Sequence, residues 1–489
     1  MNLRASALPL FALVASAFAF AACSDDTAST PANSQDAGSD AAPVVDGAAE
    51  VDAGSAGDAA PAVRFATRVV VRALSAAGHD RLYNVVVDPQ GRSVAVGQLC
   101  PTTVATDDCV SVVTRTLPDG NLDTSFGNAG VATVNFVVGG NGEVARGLVL
   151  TAEGKIVIAA VGEQVGASDA RERDVYLARF LDDGRLDPSF GVAGVAALDL
   201  APGKLVGTVF KTDSQWGLAQ DASGRLYVSG SCVGAGRDDT DFAVARLSAN
   251  GTRDAAFATA GLFTLDVARF DGTPKELLVD ASGRVVMGGY YTDPASTVVS
   301  PIVFRLTDSG ALDSSFGTSG VFTREIFPAA AEVYAVALQG DKLVTAGYGR
   351  PNTNVEMDFL SLRLAADGAL DSIYGTAGHR LVDLAAGRDT ARTLKVLPSG
   401  AVLMIGSGRR TSADQDGMFA LLSRDGVPVA EFGANGARAV DLGGAADALW
   451  GLAVSGDRAV AVGVVAGGVA GADAAVPDDD SAIVFLDLR

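Results

Sequence analysis

The sequence predicts an all-β protein: a seven-bladed β-propeller of four-stranded antiparallel blades, its last blade closed by the N-terminal strand. Three observations carry that expectation. First, Leu122-Asp123-Thr124-Ser125-Phe126-Gly127-Asn128-Ala129-Gly130 returns as Leu186-Asp187-Pro188-Ser189-Phe190-Gly191-Val192-Ala193-Gly194, with degraded copies at 254–261, 312–320, 370–378 and 429–436. Repetition at a period of about 60 residues signals an array of one supersecondary unit. Second, each period holds four short Val/Ala-rich runs separated by Gly, Asp and Asn. That pattern makes hairpins, and four antiparallel strands make a propeller blade. Third, the strand runs count seven units while the motif occurs six times. The last unit stops at Arg489 without a fourth strand, and Arg68-Val69-Val70-Val71-Arg72-Ala73 precedes the first unit as a spare one. Pairing the two removes the exposed edges of an open ring.

Taken in chain order, residues 1–23 read as an export signal. Arg4 supplies the positive start, and Ala5 to Phe20 is an apolar run short for a membrane span. Phe20-Ala21-Ala22-Cys23 resembles a bacterial lipobox. The resemblance implies diacylation of Cys23 and a lipid-anchored protein of the cell envelope. The outer membrane is the expected destination, because Ser24 rather than Asp follows the cysteine; secretion is the alternative. Residues 24–63 are Ala, Asp, Gly, Ser and Pro with eight acids (Asp25, Asp26, Asp36, Asp40, Asp46, Glu50, Asp52, Asp58) and no base. Such a segment buries too little apolar surface to offset its ordering entropy, so a disordered acidic tether is expected. Residues 64–489 are then the propeller. The formal net charge of −21 argues against nucleic acid and against attraction to anionic lipid.

Within the propeller, the third unit shows the elements well. Trp216 to Asp221 is extended and apolar, and Asp221-Ala222-Ser223-Gly224-Arg225 is a turn. Leu226 to Gly230 is the second strand, Phe242 to Leu247 the third, and Gly261 to Asp266 the fourth. The third strands carry Arg115, Arg179, Arg246, Arg305 and Arg363. Eight residues on stand Asp123, Asp187, Asp254, Asp313 and Asp371. In the sixth unit both charges vanish together, as Leu421 and Val429. Joint loss reads as a contacting ion pair across the third hairpin, replaced there by an apolar pair. The motif aromatics read as blade packing and the motif glycines as turn residues.

The Leu-Asp-x-Ser-Phe-Gly-x-x-Gly motif, with Asp-Phe-x-Leu-x-Arg-Leu upstream, resembles the delta-60 repeat of bacterial secreted and surface proteins. The resemblance covers most of residues 83–489 and implies a propeller and a cell-surface address. It implies no reaction.

Chemistry is sparse. His79 and His379 stand in different units with no metal-ligand spacing, and no nucleophile elbow, phosphate loop or zinc-protease motif occurs. Cys100 and Cys109 bracket one loop, where a disulfide is expected in an exported protein; Cys232 is left over as a buried thiol. No cofactor is expected. Asp238-Asp239-Thr240-Asp241 and Asp478-Asp479-Asp480 are acidic runs whose oxygens would suit Ca²⁺, without EF-hand spacing. The segments that do not repeat are the loops between second and third strands and between units. The longest, 199–215 and 464–480, are expected to protrude, offering Lys204, Phe210, Lys211 and Trp216 on one side. Variable loops on a rigid scaffold carry recognition. The expected function is a monomeric binding or scaffold module for a protein or glycan of the envelope, more in keeping with a non-enzyme. The alternative is an extracytoplasmic enzyme acting on a polysaccharide or other polymer, which needs carboxylates converging in the central channel.

Overall fold

The computed structural model describes residues 65–489 apart from 76–77, 104–107, 140–141, 164–170, 268–270, 294, 385–386, 412–413 and 468–477. The expected signal peptide with Cys23, the tether, and part of the loop 464–480 lie outside the described residues.

Those residues form short strands joined by turns and loops, with almost no helix. Four-stranded antiparallel meanders span 80–134, 144–198, 214–265 and 389–440. Two more, 272–323 and 335–382, are joined into one larger sheet through Ala330–Ala331, which pairs with a strand of each. In the last unit, 448–487, three strands are completed by Thr67–Arg72. This strand lies antiparallel to Asp479–Asp487, with Thr67 opposite Leu486 and Arg72 opposite Ser481. Two short 3₁₀ turns, Ala430–Phe432 and Ala434–Gly436, replace the motif loop in the sixth unit, where the motif sequence departs most.

The inner strands are buried on both faces, which explains a Val/Ala-rich sequence with little polar alternation. In Leu226–Val233, Leu226 and Val228 pack with unit two, while the intervening Tyr227 packs with unit four. Successive side chains of a strand point to opposite faces, so every unit shares one apolar layer with each neighbour. One such layer joins Leu82, Val85 and Val112 of the first unit to Val460, Val462 and Ile483 of the last.

The recurring motif clamps neighbouring units together. Nε of Arg115, Arg179, Arg246, Arg305 and Arg363 donates to the Asp eight residues on, at 2.7–2.8 Å. Each guanidinium also lies 4.7–4.8 Å from the ring centre of its motif aromatic, Phe126, Phe190, Phe257, Phe316 or Tyr374. Its Nη1 donates to a turn carbonyl of the next unit: Asp182, Ala249, Asp308, Ala366 or Arg424. That turn is held close by glycine. Gly184 has φ +86°, and a Cβ there would stand 2.6 Å from the Gly127 nitrogen.

The sixth unit now has a physical reason for losing both charges. The Arg needs a carbonyl from the turn between the third and fourth strands of the next unit. In the last unit those strands come from the two ends of the described chain, and the turn does not exist. Phe65 stands there instead, edge-on to Phe432 at 4.8 Å, and its carbonyl accepts a hydrogen bond from Arg438. On the other side of the seam, Arg68, Arg72 and Arg458 take the turn carbonyls of Asp119, Gly120 and Pro118 in the first unit. Cys100 and Cys109 form a disulfide, and Cys232 is a free, buried thiol. Burial, with Asp213 and Asp241 nearby, pushes that thiol up to about 12.

Candidate functional site

The first strand of a unit slips register once, and the residue at the slip turns away from the sheet. The slips fall between Leu82 and Asn84, Ala145 and Gly147, Gln215 and Gly217, Pro274 and Leu277, Ala391 and Thr393, and Leu449 and Gly451. A bulge leaves one residue unpaired and re-aims its side chain. The residues so released are Tyr83, Arg146, Trp216, Lys275 with Glu276, Arg392 and Trp450; Tyr334 holds the matching place in the fifth unit, just ahead of Ala335–Gln339.

These side chains meet in one recess and alternate aromatic with cationic. Arg146 lies 5.2 Å from the Tyr83 ring and 4.7 Å from Trp216. The Lys275 ammonium lies 3.4 Å from Trp216 and 4.2 Å from Tyr334. Arg392 lies 5.3 Å from Tyr334 and 4.1 Å from Trp450. Trp450 returns edge-on to Tyr83 at 5.6 Å. A cation over an aromatic face contributes up to about 2 kcal/mol when desolvated, so the chain of contacts braces the inner strands against one another. The space left is about 50 Å³, enough for a few waters.

Two acids lie close by. Glu276 lines the same recess and accepts a hydrogen bond from Thr393 Oγ1 at 3.3 Å. Burial raises its pKa against the opposing pull of Lys395 and Thr393. Glu332 is buried and accepts from the Tyr348 hydroxyl. Burial pushes it up to about 7, although Tyr348, Lys275 and Arg392 pull the other way. A wider recess of about 490 Å³ lies between Val85–Val87, Lys395–Pro398 and Ala453–Gly456; its lining is aliphatic with one cation. Among the residues lining the two recesses, Glu276 is the one carboxylate.

A second recurring feature lies where each unit begins. A buried acid opens the first strand of five units and accepts N–H groups from the preceding inter-unit loop. Asp80 takes those of Leu74 and Ser75, Glu143 that of Val137, Asp213 those of Leu200 and Ala201, Asp389 that of Leu384, and Asp447 those of Leu442 and Gly444. Burial is the largest influence on the titration of Asp80, Glu143 and Asp213. It raises Asp80 to about 6, Glu143 to about 7 and Asp213 to about 9. For Glu143 the consequence is measurable. An unfolded glutamate titrates near 4.3, so the folded state holds the extra proton. The stability this lends is full below about pH 4 and is lost as pH rises through 7. Glu143→Gln keeps an acceptor for Val137 N–H and removes the loss. In thermal denaturation across pH, the variant should exceed the parent by on the order of 2 kcal/mol at pH 8 and match it near pH 4. Parallel profiles would refute the assignment.

The residues singled out in the sequence fall away from the axis. The Arg–Asp pairs sit in the inter-unit clamps, and the disulfide joins the ends of the second and third strands of the first unit. His79 contacts Asp479 at 3.1 Å, and His379 opens the strand His379–Val382, edge-on to Phe327. Asp479 and Asp480, expected in an exposed loop, are buried at the start of the last unit's third strand. Burial raises the pKa of Asp479, but His79 and Arg81 outweigh it and hold the carboxyl at about 2. Asp239 and Asp241 are likewise buried, and Arg237 pairs with both. Trp216 is a correction: it belongs to the axial recess rather than to the protruding loop before it, because the bulge turns it inward. What does project from that loop is a hairpin, Lys204–Val206 and Val209–Lys211, with Leu205 and Val209 exposed.

The axial alternation escaped the sequence reading, yet its signal is present. Aligned first strands read Tyr83-Asn84-Val85, Arg146-Gly147-Leu148, Trp216-Gly217-Leu218, Lys275-Glu276-Leu277, Tyr334-Ala335-Val336, Arg392-Thr393-Leu394 and Trp450-Gly451-Leu452. An aromatic or cation is always followed by a mostly small residue and then an aliphatic one.

Among solved structures, the polysaccharide lyase Uly1 is similar over 85% of this chain and 91% of its own, at 8% identity and a TM-score of 0.47. The β-propeller domain of the trilobed protease from Pyrococcus furiosus, described as having an open velcro topology, matches 79% of this chain and 90% of its own, at 11% identity and a TM-score of 0.41. An α-L-arabinofuranosidase from Fusarium graminearum matches 70% and 92%, at 11% identity and 0.37. No curated protein matches the sequence. Residues 152–190, 222–257 and 281–316 match a family model described as "Domain of unknown function (DUF5122) beta-propeller". These stretches lie in the second, third and fourth antiparallel units, and the chain is thereby one that carries β-propeller repeats.

Proposed function

We propose that the chain is a closed seven-bladed propeller of the delta-60 kind, tethered to the bacterial cell envelope through Cys23, that binds or scaffolds a protein or glycan through its non-repeating loops. Closure is supported by the apolar layer between first and last units and by the arginines that take the Asp119, Gly120 and Pro118 carbonyls across the seam. The observation that carries the binding reading is the filled axis. Side chains from the inner strands leave about 50 Å³ around a single carboxylate, far below the roughly 300–1,000 Å³ of a ligand pocket, and the wider recess of about 490 Å³ offers aliphatic groups with one cation and no carboxylate. Recognition in this reading falls to the loops, and among the described residues the loop 199–215 folds into a paired hairpin, 204–211. Lys204 is fixed to Asp238 at 2.6 Å and Lys211 to Asp271 at 2.5 Å, while Leu205 and Val209 face solvent.

The test is retention of isolated envelope polysaccharide and envelope proteins on the immobilised chain, with crosslinking on intact cells to identify the partner. Leu205→Asp with Val209→Asp should abolish retention. Retention unchanged by that pair would move the site elsewhere, and shortening of any polysaccharide would favour the enzyme. Separately, Cys23→Ser should release the protein from membranes; unchanged membrane association would sink the anchor.

A further inference from the structure

Three positions converge where one unit meets the next: the start of the third strand, the residue after the fourth strand, and the residue opening the next first strand. At three junctions all three are aspartate, namely 174, 199 and 213; 358, 383 and 389; and 416, 441 and 447. In each triad one oxygen from every residue lies within 4.8 Å of the others. Three carboxylates that close repel strongly, the more so where two of them are buried.

The other junctions show how the chain avoids this. Between units three and four, Gly272 replaces the third acid, and Arg237 places its guanidinium on Asp239 at 2.8 Å, on Asp241, and on Asp266 at 3.6 Å. Between units one and two, Asn135 stands in the middle position and donates to Asp108 at 2.9 Å. Between units four and five, Ser300 and Ala331 replace two of the acids. A cation, an amide or neutral residues therefore occur where the triad is incomplete.

At the junction of units six and seven the triad is complete, and Asp447 is fully buried in it. Its Oδ2 accepts the N–H groups of Leu442 at 3.0 Å and Gly444 at 3.2 Å, while its equally buried Oδ1 has no hydrogen-bond donor among the described residues. Burial, with Asp416 and Asp441 beside it, pushes Asp447 up to about 6 despite those two donors.

We propose that Asp416, Asp441 and Asp447 bind a divalent cation, calcium by preference, that staples the sixth unit to the seventh. The donors are all oxygen, which selects a hard cation. Oxygens within 4.8 Å of one another can share one ion at the roughly 2.3–2.6 Å of a Ca²⁺–oxygen contact, and calcium tolerates irregular coordination that magnesium does not. Asp441 is exposed and gives the ion its entry, and Arg237 is the fixed cation of the corresponding place between units three and four. This inference is independent of the partner that the loops recognise.

The experiment uses the full chain, stripped with a chelator. Calcium should bind in calorimetry at or below about 1 mM and raise the melting temperature, while magnesium at the same concentration should do neither. Asp441→Asn changes an exposed side chain, so the fold should survive it. It should weaken calcium binding tenfold or more or remove one bound equivalent, and Asp447→Asn should do the same. A parent that binds no calcium, one that binds magnesium equally well, or variants that keep every equivalent at parental affinity would each overturn the proposal. Should Asp447→Asn not fold, Asp441→Asn decides alone.

Discussion

A chain lacking residues 65–72 is expected to lose its cooperative fold and to elute from size-exclusion chromatography as aggregate. The deletion removes a strand paired at six positions with Asp479–Asp487, from Thr67 opposite Leu486 to Arg72 opposite Ser481. It strips Val69 and Val71 from the apolar layer between the sixth and seventh units, and takes Phe65 off Phe432. It also removes two of the three arginines that hold the first unit's turn carbonyls. What remains is a bare edge along Ile483, Val484, Phe485 and Leu486, an apolar strand with unpaired backbone groups, which is a template for association. A peptide of residues 64–73 added in trans should restore the melting transition and the monodisperse peak. A truncated chain that melts like the parent would show that the seam contributes nothing.

The second large effect is expected at Arg246. The side chain is buried and serves three partners at once: Asp254 at 2.8 Å, the Phe257 ring at 4.7 Å and the Asp308 carbonyl of the next unit. Arg246→Leu leaves Asp254 without its cation and should cost about 3–5 kcal/mol. Adding Asp254→Val removes the stranded charge, so the double variant should recover part of that loss. It should not recover all of it, because the Asp308 carbonyl still lacks its donor, a deficit of about 1–3 kcal/mol. The sixth unit carries the same apolar pair, Leu421 and Val429, without that deficit, since no equivalent turn exists beyond it. Additive single losses in the thermal-melting cycle would reject the Arg–Asp contact, and a fully neutral double variant would reject the Asp308 contribution.

The molecule divides into what short stretches of chain dictate and what requires distant segments to meet. Strands, turns and the four-strand unit follow from composition and spacing within about a dozen residues, so Leu226–Val233 and its turn at Asp221–Arg225 are evident before any folding. The eight-residue spacing of Arg246 and Asp254 is of the same kind, because one hairpin spans it. The third partner of Arg246 lies 62 residues on, in a turn that looks like any other, and nothing local marks it. The joint loss at Leu421 and Val429 is visible as a pattern, but its cause is the missing turn at the seam.

The axis was hidden for a related reason. Tyr83, Lys275 or Trp450 alone is an ordinary strand residue, and hydrophobic periodicity assigns it to the core. Only the register slip turns it inward, and only the packing of neighbouring units brings the released side chains into one recess. The junction acids are further removed still, since Asp416, Asp441 and Asp447 belong to different strands of two units, and each reads alone as a solvated turn residue. The sequence by itself determined the repeat, the strand order within it and the turn chemistry, because backbone sterics and period-two side-chain alternation act over a few residues. The tertiary structure alone decided the filled axis, the inter-unit clamps and the acidic junctions, because these depend on electrostatic and packing contacts between segments tens of residues apart.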